Sequence, residues 1–462
     1  MSNSMISIRK LAKSGVFLLL VLSLLVGTIM QSDAQRKKKP PPLVRDAEIE
    51  GLLKDYTAPI FSAAGLGKKS IKIYLVNKPE FNAFVTGRLM FINLGAIQTS
   101  LAPNEIIGVI AHETGHIVGG HLHRLRARVE NARILATIGM LAGLGAAVAG
   151  GDAGDAAAGA IMYGSQDALR RSVLSYRREE ERAADRTAFT LLQKTRQSSK
   201  GLLTTFKRFS RSLNLSSNID PYKISHPLPR ERIAFMTKMA HSSPYYSTLD
   251  SKNLQFRHDM ARAKIAAYSD GAGAVRRLFS KNLNSPAARY GDAIATYLAG
   301  AYQVAIPKID KLIKQYPKFA FLHEMKGEIL LRSGKPKAAI KPFQRAYKYD
   351  RHKSGMIRIE LAHAMLETGE RKLVDKAIKE LKAGISRDPN TGNGYQLLAR
   401  AYGMKGQSNL AIAAAAEHNF NIGRYKQAKQ FAKRAQNKLK RGSPQWLRLG
   451  DILKYKVPKK KR

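Results

Sequence analysis

The residues with the clearest chemical potential lie in Ala111–His116, where His112 begins the pattern H-E-x-x-H. Residues four apart on an α-helix share a face, so the imidazoles of His112 and His116 can converge on one divalent cation. The intervening Glu113 then lies beside the open coordination position, where it can act as a general base. The pattern predicts a catalytic zinc site set into a helix.

A catalytic zinc ion usually takes three protein ligands, so a third must come from another part of the chain. His121 and His123 follow the motif, but a continued helix would turn His121 about 140° away from His116. The metzincin position for a third histidine is occupied by Leu122. We therefore interpret His121 and His123 as structural or surface residues.

An acidic cluster at residues 176–185 offers the third ligand. Glu181 and Asp185 are four apart, so one carboxylate can bind metal while the other accepts the second ring N–H of a ligating histidine. The small pair at 183–184 would let this helix approach the histidine helix closely. A solvated charge run is the alternative for Glu181, and it is our interpretation of residues 179–180.

The chain resembles the BepA-like, HtpX-type gluzincin metallopeptidases in four segments. These are residues 112–116 (H-E-T-G-H), residues 181–185 (E-R-A-A-D), and the segments 82–97 and 225–233. The resemblance implies three roles: zinc ligation, contact with an extended substrate by an edge strand, and chemistry at the cleft. The ligands would be His112, His116 and Glu181, the strand would contain Asn82, Ala83 and Phe84, and the cleft residues would be Glu113, His226 and Arg232. His226 would gate or occupy the open position, and Arg232 would face the cleft and stabilise the developing oxyanion.

The predicted reaction is hydrolysis of a peptide bond, with one zinc ion per chain activating water and Glu113 accepting the proton. The resemblance implies that the substrates are unfolded or misassembled outer-membrane proteins, handled at the outer-membrane assembly machinery, with chaperone-like behaviour besides proteolysis. The alternative is a non-proteolytic or autoinhibited tetratricopeptide scaffold, blocked by His226 or by the segment 137–166. A third interpretation is a basic protein that binds the envelope or nucleic acid.

Patterns of residue type along the sequence predict the strands and helices that hold this site. Alternation at Ile71–Val76 and the β-rich segment Leu89–Leu94 indicate a small sheet with a free edge. The fold class is mainly α (α+β), with a gluzincin metalloprotease domain at residues 35–270. The glycine- and alanine-rich segment 137–166 predicts a lid or two close-packed helices over the cleft, and a membrane-spanning helix at 134–151 is the alternative.

Beyond residue 270 the sequence repeats, and we predict an α-solenoid of tetratricopeptide-like helix pairs at residues 271–462, ending in a basic tail. Small residues mark the period with spacings of 34, 38, 34 and 17, at Ala305, Ala339, Ala377, Ala411 and Ala428. Such a domain forms an arc that can dock a substrate or a partner. A plain helical bundle is the alternative.

The amino terminus predicts the compartment. Basic residues precede an uncharged run at 15–30, and small residues at 32 and 34 suit signal-peptide cleavage after Ala34, so we predict a signal peptide at 1–34 and a periplasmic protein. A retained anchor is the alternative. The absence of cysteine excludes disulfides and thiolate metal sites.

The net charge is +45, of which residues 251–462 contribute +30. This excess predicts attraction to anionic partners, for example an anionic envelope surface with which the protein would associate. Nucleic acid is not expected, because no nucleic-acid-reading motif accompanies the charge.

Overall fold

The computed structural model describes residues 42–67, 70–131, 174–211, 226 and 230–457. Four predictions fall outside these residues: the signal peptide, the anchor alternative, the glycine- and alanine-rich segment 137–166 with its spanning-helix alternative, and the basic tail at 459–462. The described residues from Leu43 onward belong to one compact unit. No helix in the described ranges combines the length and apolar character needed to cross a bilayer.

The first part of the chain combines a four-stranded sheet with helices. Its elements are β1 (Leu43–Val44), α1 (Ala47–Ala63), β2 (Lys72–Val76), β3 (Ala83–Thr86), β4 (Leu89–Asn93), α2 (Leu94–Thr99), α3 (Pro103–Val118), α4 (121–131), α5 (174–194), α6 (Lys200–Arg211) and α7 (Arg230–His241). The strand order is β1-β2-β4-β3. Strands β2 and β4 are parallel, with Ile73 opposite Met90, whereas β3 and β4 form an antiparallel hairpin with Ala83 opposite Ile92. The predicted small sheet is confirmed, and β3 is its edge.

Helix α3 lies in the centre of this part and is buried along most of its length. Its apolar residues pack into one core with α1, the sheet and α6, and two of them, Ile106 and Ile110, are almost fully buried. Pro103 takes the first helical position, where its missing N–H costs nothing. Asn104 follows inside the helix, and its backbone N–H donates to Asp250 Oδ2 at 3.0 Å.

The second part of the chain is a row of helices that begins with α8. These helices are α8 (Lys252–Leu278), α9 (Pro286–Leu298), α10 (Tyr302–Gln315), α11 (Ala320–Arg332), α12 (Pro336–Tyr349), α13 (Gly355–Glu367), α14 (Arg371–Arg387), α15 (Gly392–Met404), α16 (Ser408–Asn421), α17 (Tyr425–Gln436) and α18 (Pro444–Lys454). Helix α8 has a kink at Asp270–Gly271, where Gly271 has a φ of 69°. This kink coincides with the predicted domain boundary, which stays a prediction.

Small residues set the packing of the helix pairs, as the repeat pattern predicts. A Cβ on Gly327 of α11 would lie 2.9 Å from the ring of Phe343 of α12, so glycine is needed for this close approach. Ala305, Ala339 and Ala377 are fully buried at matching places in successive pairs. The predicted fold class, mainly α with a small sheet in the first part and a helical repeat arm after it, is confirmed.

The repeat arm lies against the first part of the chain. Ala47 of α1 packs with Phe321 and Ile357 of the arm in one small apolar cluster. Arg45 pairs with Asp388 at 3.0 Å. A cavity of about 670 Å³ lies between the two surfaces, lined by residues of β1, α1, α8, α11 and α13. Part of the arm's surface is therefore covered by the protein itself.

Candidate active site

Two helices, α3 and α5, bring the predicted site residues together. Helix α3 carries His112, Glu113 and His116, and α5 carries Glu181 and Asp185. The two helices meet at small residues, Gly115 of α3 and Ala184 of α5. A Cβ on Gly115 would lie 2.8 Å from the backbone oxygen of Ala184. This close approach brings the carboxylates of α5 to the imidazoles of α3.

The three predicted ligands have the spacing that a zinc ion requires. The Nε2 atoms of His112 and His116 are 3.1 Å apart. The carboxylate of Glu181 places Oε2 3.4 Å from His112 Nε2 and Oε1 3.4 Å from His116 Nε2. Ligand atoms about 2.0–2.1 Å from a tetrahedral zinc ion lie about 3.4 Å from one another. The donor set therefore fits one zinc ion without rearrangement.

His226 lies at the fourth corner of this arrangement. Its Nδ1 is 3.0 Å from Glu181 Oε1 and 3.3 Å from His112 Nε2, and its Nε2 is 3.3 Å from Glu113 Oε1. His112, His116, Glu181 and His226 form one group whose donor atoms all lie within 4.8 Å of one another. In this arrangement His226 stands where a substrate oxygen or a water molecule would have to enter.

Arg232 and Asp185 support the ligands from behind. Asp185 Oδ1 lies 3.0 Å from His112 Nδ1, the outer-shell position that the sequence predicts. Arg232 donates through Nε and Nη2 to Asp185 at 2.7 and 2.8 Å, and its Nη1 lies 2.8 Å from Glu181 Oε2. Its side chain is only 2% exposed. The structure thus places Arg232 on the two carboxylates, and its role at an oxyanion stays a prediction.

His121 contacts the site although the sequence pattern pointed it away. Its Nδ1 lies 2.9 Å from His116 Nδ1, and its Nε2 lies 2.7 Å from Glu180 Oε2. The assumption of a continuous helix is wrong, because α3 ends at Val118 and Gly120, with a φ of 66°, reverses the chain before α4. Gly119 leaves room for the ring, since a Cβ there would lie 2.1 Å from His121 Nε2.

The interpretation of Glu180 as part of a solvated charge run is also wrong. Its side chain is only 12% exposed, and Arg124 donates to its carboxylate at 2.9 Å. His123, by contrast, is exposed, as a surface residue should be. The glycine pair after His116 is the sequence signal that could have revealed the fold-back of His121.

Burial and nearby charges shift the titration of the site residues in different directions. Burial in itself lowers the pKa of His112, but hydrogen bonds to Asp185 and Glu181 outweigh it and raise that pKa to about 9. Burial and the neighbouring imidazoles hold the pKa of His116 well below its usual value. Burial opposes ionisation of Glu181, yet the adjacent His226, His112 and Arg232 hold its pKa well below the ordinary range. Burial raises the pKa of Glu113, which suits a general base.

The edge strand lies beside this site. β3 contacts α3, the helix that carries the histidine motif, and it pairs with β4 through Ala83 and Phe84. The predicted substrate-contacting segment thus lies at the sheet edge next to the histidine helix. That these residues contact a substrate stays a prediction.

Comparison with known proteins gives the same assignment. Residues 45–240 match the family model "Peptidase family M48". The chain is 25% identical over 418 residues to the beta-barrel assembly-enhancing protease of Escherichia coli K12, covering 88% of this chain and 82% of that protein. It is 24% identical over 410 residues to the protein of the same name in Yersinia pestis, covering 87% and 82%. A solved structure of YrrB, a TPR protein with an unusual peptide-binding site, matches with a TM-score of 0.31 and 18% identity, covering 38% of this chain and 91% of that one.

These likenesses and the site geometry confirm three predictions. The chain resembles the BepA-like metallopeptidases along most of its length. It is a metalloprotease, and its cofactor is zinc. The prediction of a repeat arm is supported by the helix pairs of the structure itself, from α9 onward.

Proposed function

We propose that this BepA-like metalloprotease is an exported endopeptidase that cleaves unfolded or misassembled outer-membrane proteins in the periplasm. One observation carries the enzymatic part: His112, His116 and Glu181 converge at tetrahedral spacing beside the carboxylate of Glu113. The substrate class is supported by the name of the E. coli relative, a beta-barrel assembly-enhancing protease. Export is supported by the leader pattern that ends at Ala34.

His112, His116 and Glu181 are the proposed zinc ligands, and Asp185 is the proposed outer-shell partner of His112. A bound zinc ion would polarise the scissile carbonyl and increase the acidity of a water molecule. Glu113 then accepts the proton and returns it to the leaving amine, because its carboxylate borders the site and its raised pKa favours both transfers. Arg232 holds Glu181 in place through a buried ion pair.

An extended substrate would add to the free edge of β3, next to Asn82, Ala83 and Phe84. Main-chain hydrogen bonds to an edge strand give affinity without requiring a fixed sequence. This mode suits an enzyme whose substrates share an unfolded state more than a sequence motif. His226 would have to leave its corner before such a substrate reaches Glu113, so we propose that His226 gates the site.

The repeat arm is proposed to dock partners by surfaces other than the part that the protease domain covers. Its second helices are rich in exposed lysines, for example Lys341 of α12 and Lys379 of α14. An anionic envelope surface, or acidic parts of the outer-membrane assembly machinery, would complement this charge. The cavity between arm and protease domain is a further candidate surface for a partner segment.

Glu113→Gln tests the proposed mechanism. The variant keeps the size of the side chain but cannot accept a proton, so it should retain zinc and lose cleavage of an unfolded outer-membrane protein. Glu179→Gln, a change at an exposed residue of α5, is the matched control and should cleave like the parent. Full activity of the Glu113 variant would refute the general-base role.

A non-proteolytic chaperone or scaffold is the second candidate, favoured by the position of His226 at the fourth corner. His226→Ala separates the two functions on a generic unfolded substrate. A gated enzyme should cleave faster after this change. A scaffold should stay silent while still preventing aggregation of the substrate.

A further inference from the structure

The two histidines of the H-E-x-x-H motif have different partners on their second ring nitrogen. His112 Nδ1 faces the carboxylate of Asp185 at 3.0 Å. His116 Nδ1 faces another imidazole, that of His121, at 2.9 Å. Histidine ligands usually donate this N–H to a carboxylate, a carbonyl or water, and the partner fixes the tautomer and the ring orientation. The orientation of the His116 ring therefore depends on the position and tautomer of a second histidine, His121.

The proton positions along this contact follow from the chemistry of the two rings. To bind a metal through Nε2, His116 must carry its proton on Nδ1, and it then donates to His121 Nδ1. His121 then accepts through Nδ1 and donates through Nε2, which lies 2.7 Å from Glu180 Oε2. Glu180 accepts this second hydrogen bond, so each donor in the series His116, His121, Glu180 meets an acceptor.

Glu180 is itself fixed by residues of two helices. Arg124 of α4 lies 2.9 Å from Glu180 Oε2 through Nη2 and donates to Tyr176 of α5 through Nε at 3.1 Å. The guanidinium of Arg128 stacks over the Tyr176 ring at 5.1 Å from its centre. His121 is 5% exposed, so the contact with His116 is shielded from water. The packing of α4 on α5 thus reaches the metal site through Glu180 and His121.

We propose that His121 and Glu180 are positioning residues that fix the tautomer and ring orientation of His116 and thereby set the affinity for zinc. The inference rests on the proposed metal site. It assigns neither residue to the metal or to the substrate. It also gives the polar residues of α4 and α5 a role in the site beyond joining the two helices.

His121→Ala tests the proposal by metal binding alone. Loss of an outer-shell partner typically weakens metal binding by about 10–100-fold. We expect that loss in the zinc dissociation constant, measured by competition with a chromophoric chelator, and a changed visible spectrum of the cobalt(II)-loaded protein, which reports coordination geometry. His123→Ala, an exposed histidine two residues away, should match the parent in both measurements.

Two further variants separate positioning from a general packing effect. His121→Asn keeps an acceptor near the position of Nδ1 and should recover part of the lost affinity. Glu180→Gln keeps the shape but removes the charge, and it should weaken zinc binding less than His121→Ala. Unfolding of each metal-free variant shows whether the fold is retained.

The proposal is overturned if folded His121→Ala binds zinc as tightly as His123→Ala with an unchanged cobalt spectrum. If His121→Ala does not fold, Glu180→Gln decides, and parental zinc affinity in that variant overturns the proposal. A parent protein that binds neither ion would instead overturn the proposed metal site, and this inference with it.

Discussion

Replacing Gly115 by alanine should weaken zinc binding even though alanine is the better helix former. The new Cβ would lie 2.8 Å from the oxygen and 2.9 Å from the Cα of Ala184, whereas ordinary contact begins at 3.4 Å. Helices α3 and α5 would have to separate by about 0.5 Å, more than the tolerance of about 0.2 Å in metal–ligand distances. Because Glu181 moves with α5, the carboxylate should draw away from His112 and His116.

The stability effect can be worked out from the same contact. Alanine gains about 1 kcal/mol over glycine in a helix interior. Overpacking of a well-packed contact costs about 1–3 kcal/mol. The metal-free Gly115→Ala protein should therefore be unchanged or less stable by up to about 2 kcal/mol, and its zinc dissociation constant should rise at least tenfold.

The assay is denaturant unfolding of the metal-free protein together with chelator competition for zinc. Gly403→Ala is the matched control, because Gly403 is an exposed helical glycine with no atom near the position of its Cβ. That control should gain about 1 kcal/mol and bind zinc like the parent. If Gly115→Ala were stabilised as much as Gly403→Ala and kept its zinc affinity, the close contact of α3 and α5 would not set the site.

Two further predictions concern buried ionisable groups. Burial lowers the pKa of His258 from 6.5 to about 4, so the unfolded chain binds a proton that the folded chain does not, and stability should fall by about 2 kcal/mol between pH 7 and pH 5. His258→Gln should remove this part of the slope in urea unfolding, and a slope equal to the parent's would refute the assignment. Arg232→Met leaves the carboxylates of Glu181 and Asp185 buried without that partner and should cost about 3–5 kcal/mol of unfolding free energy. Arg232→Lys should lose less, and equal losses in the two variants would show that charge does not matter there.

The parts of the site that follow helical periodicity could be predicted from the sequence. His112 and His116 are one turn apart, as are Glu181 and Asp185, so each pair shares a face wherever the helices lie. The strands and the repeat arm were predictable for the same reason. The alternation of apolar residues in a strand and the regular spacing of small residues in the repeats can be read from the sequence without knowing the tertiary contacts. That Glu181 approaches the histidines rested mostly on the family resemblance and only in part on helical geometry.

The contacts that depend on how separate elements meet could not be predicted. His121 returns to His116 because the chain reverses at Gly120, and the helical projection assumed that it continues straight. Glu180 pairs with Arg124 and His121, which lie on another helix, so the charge run looked solvated in the sequence. Likewise, part of the arm's surface is covered by α1, a long-range contact that no repeat pattern encodes.

The most direct test of the account is the zinc content of the purified mature protein beside that of Glu181→Ala. The parent should hold one zinc ion per chain, and the variant should lose it, because a carboxylate corner of the site is missing. Glu179→Ala, which changes an exposed carboxylate two residues away, should keep the metal. Zinc retained at full stoichiometry and affinity in Glu181→Ala would contradict the claim that His112, His116 and Glu181 share one ion.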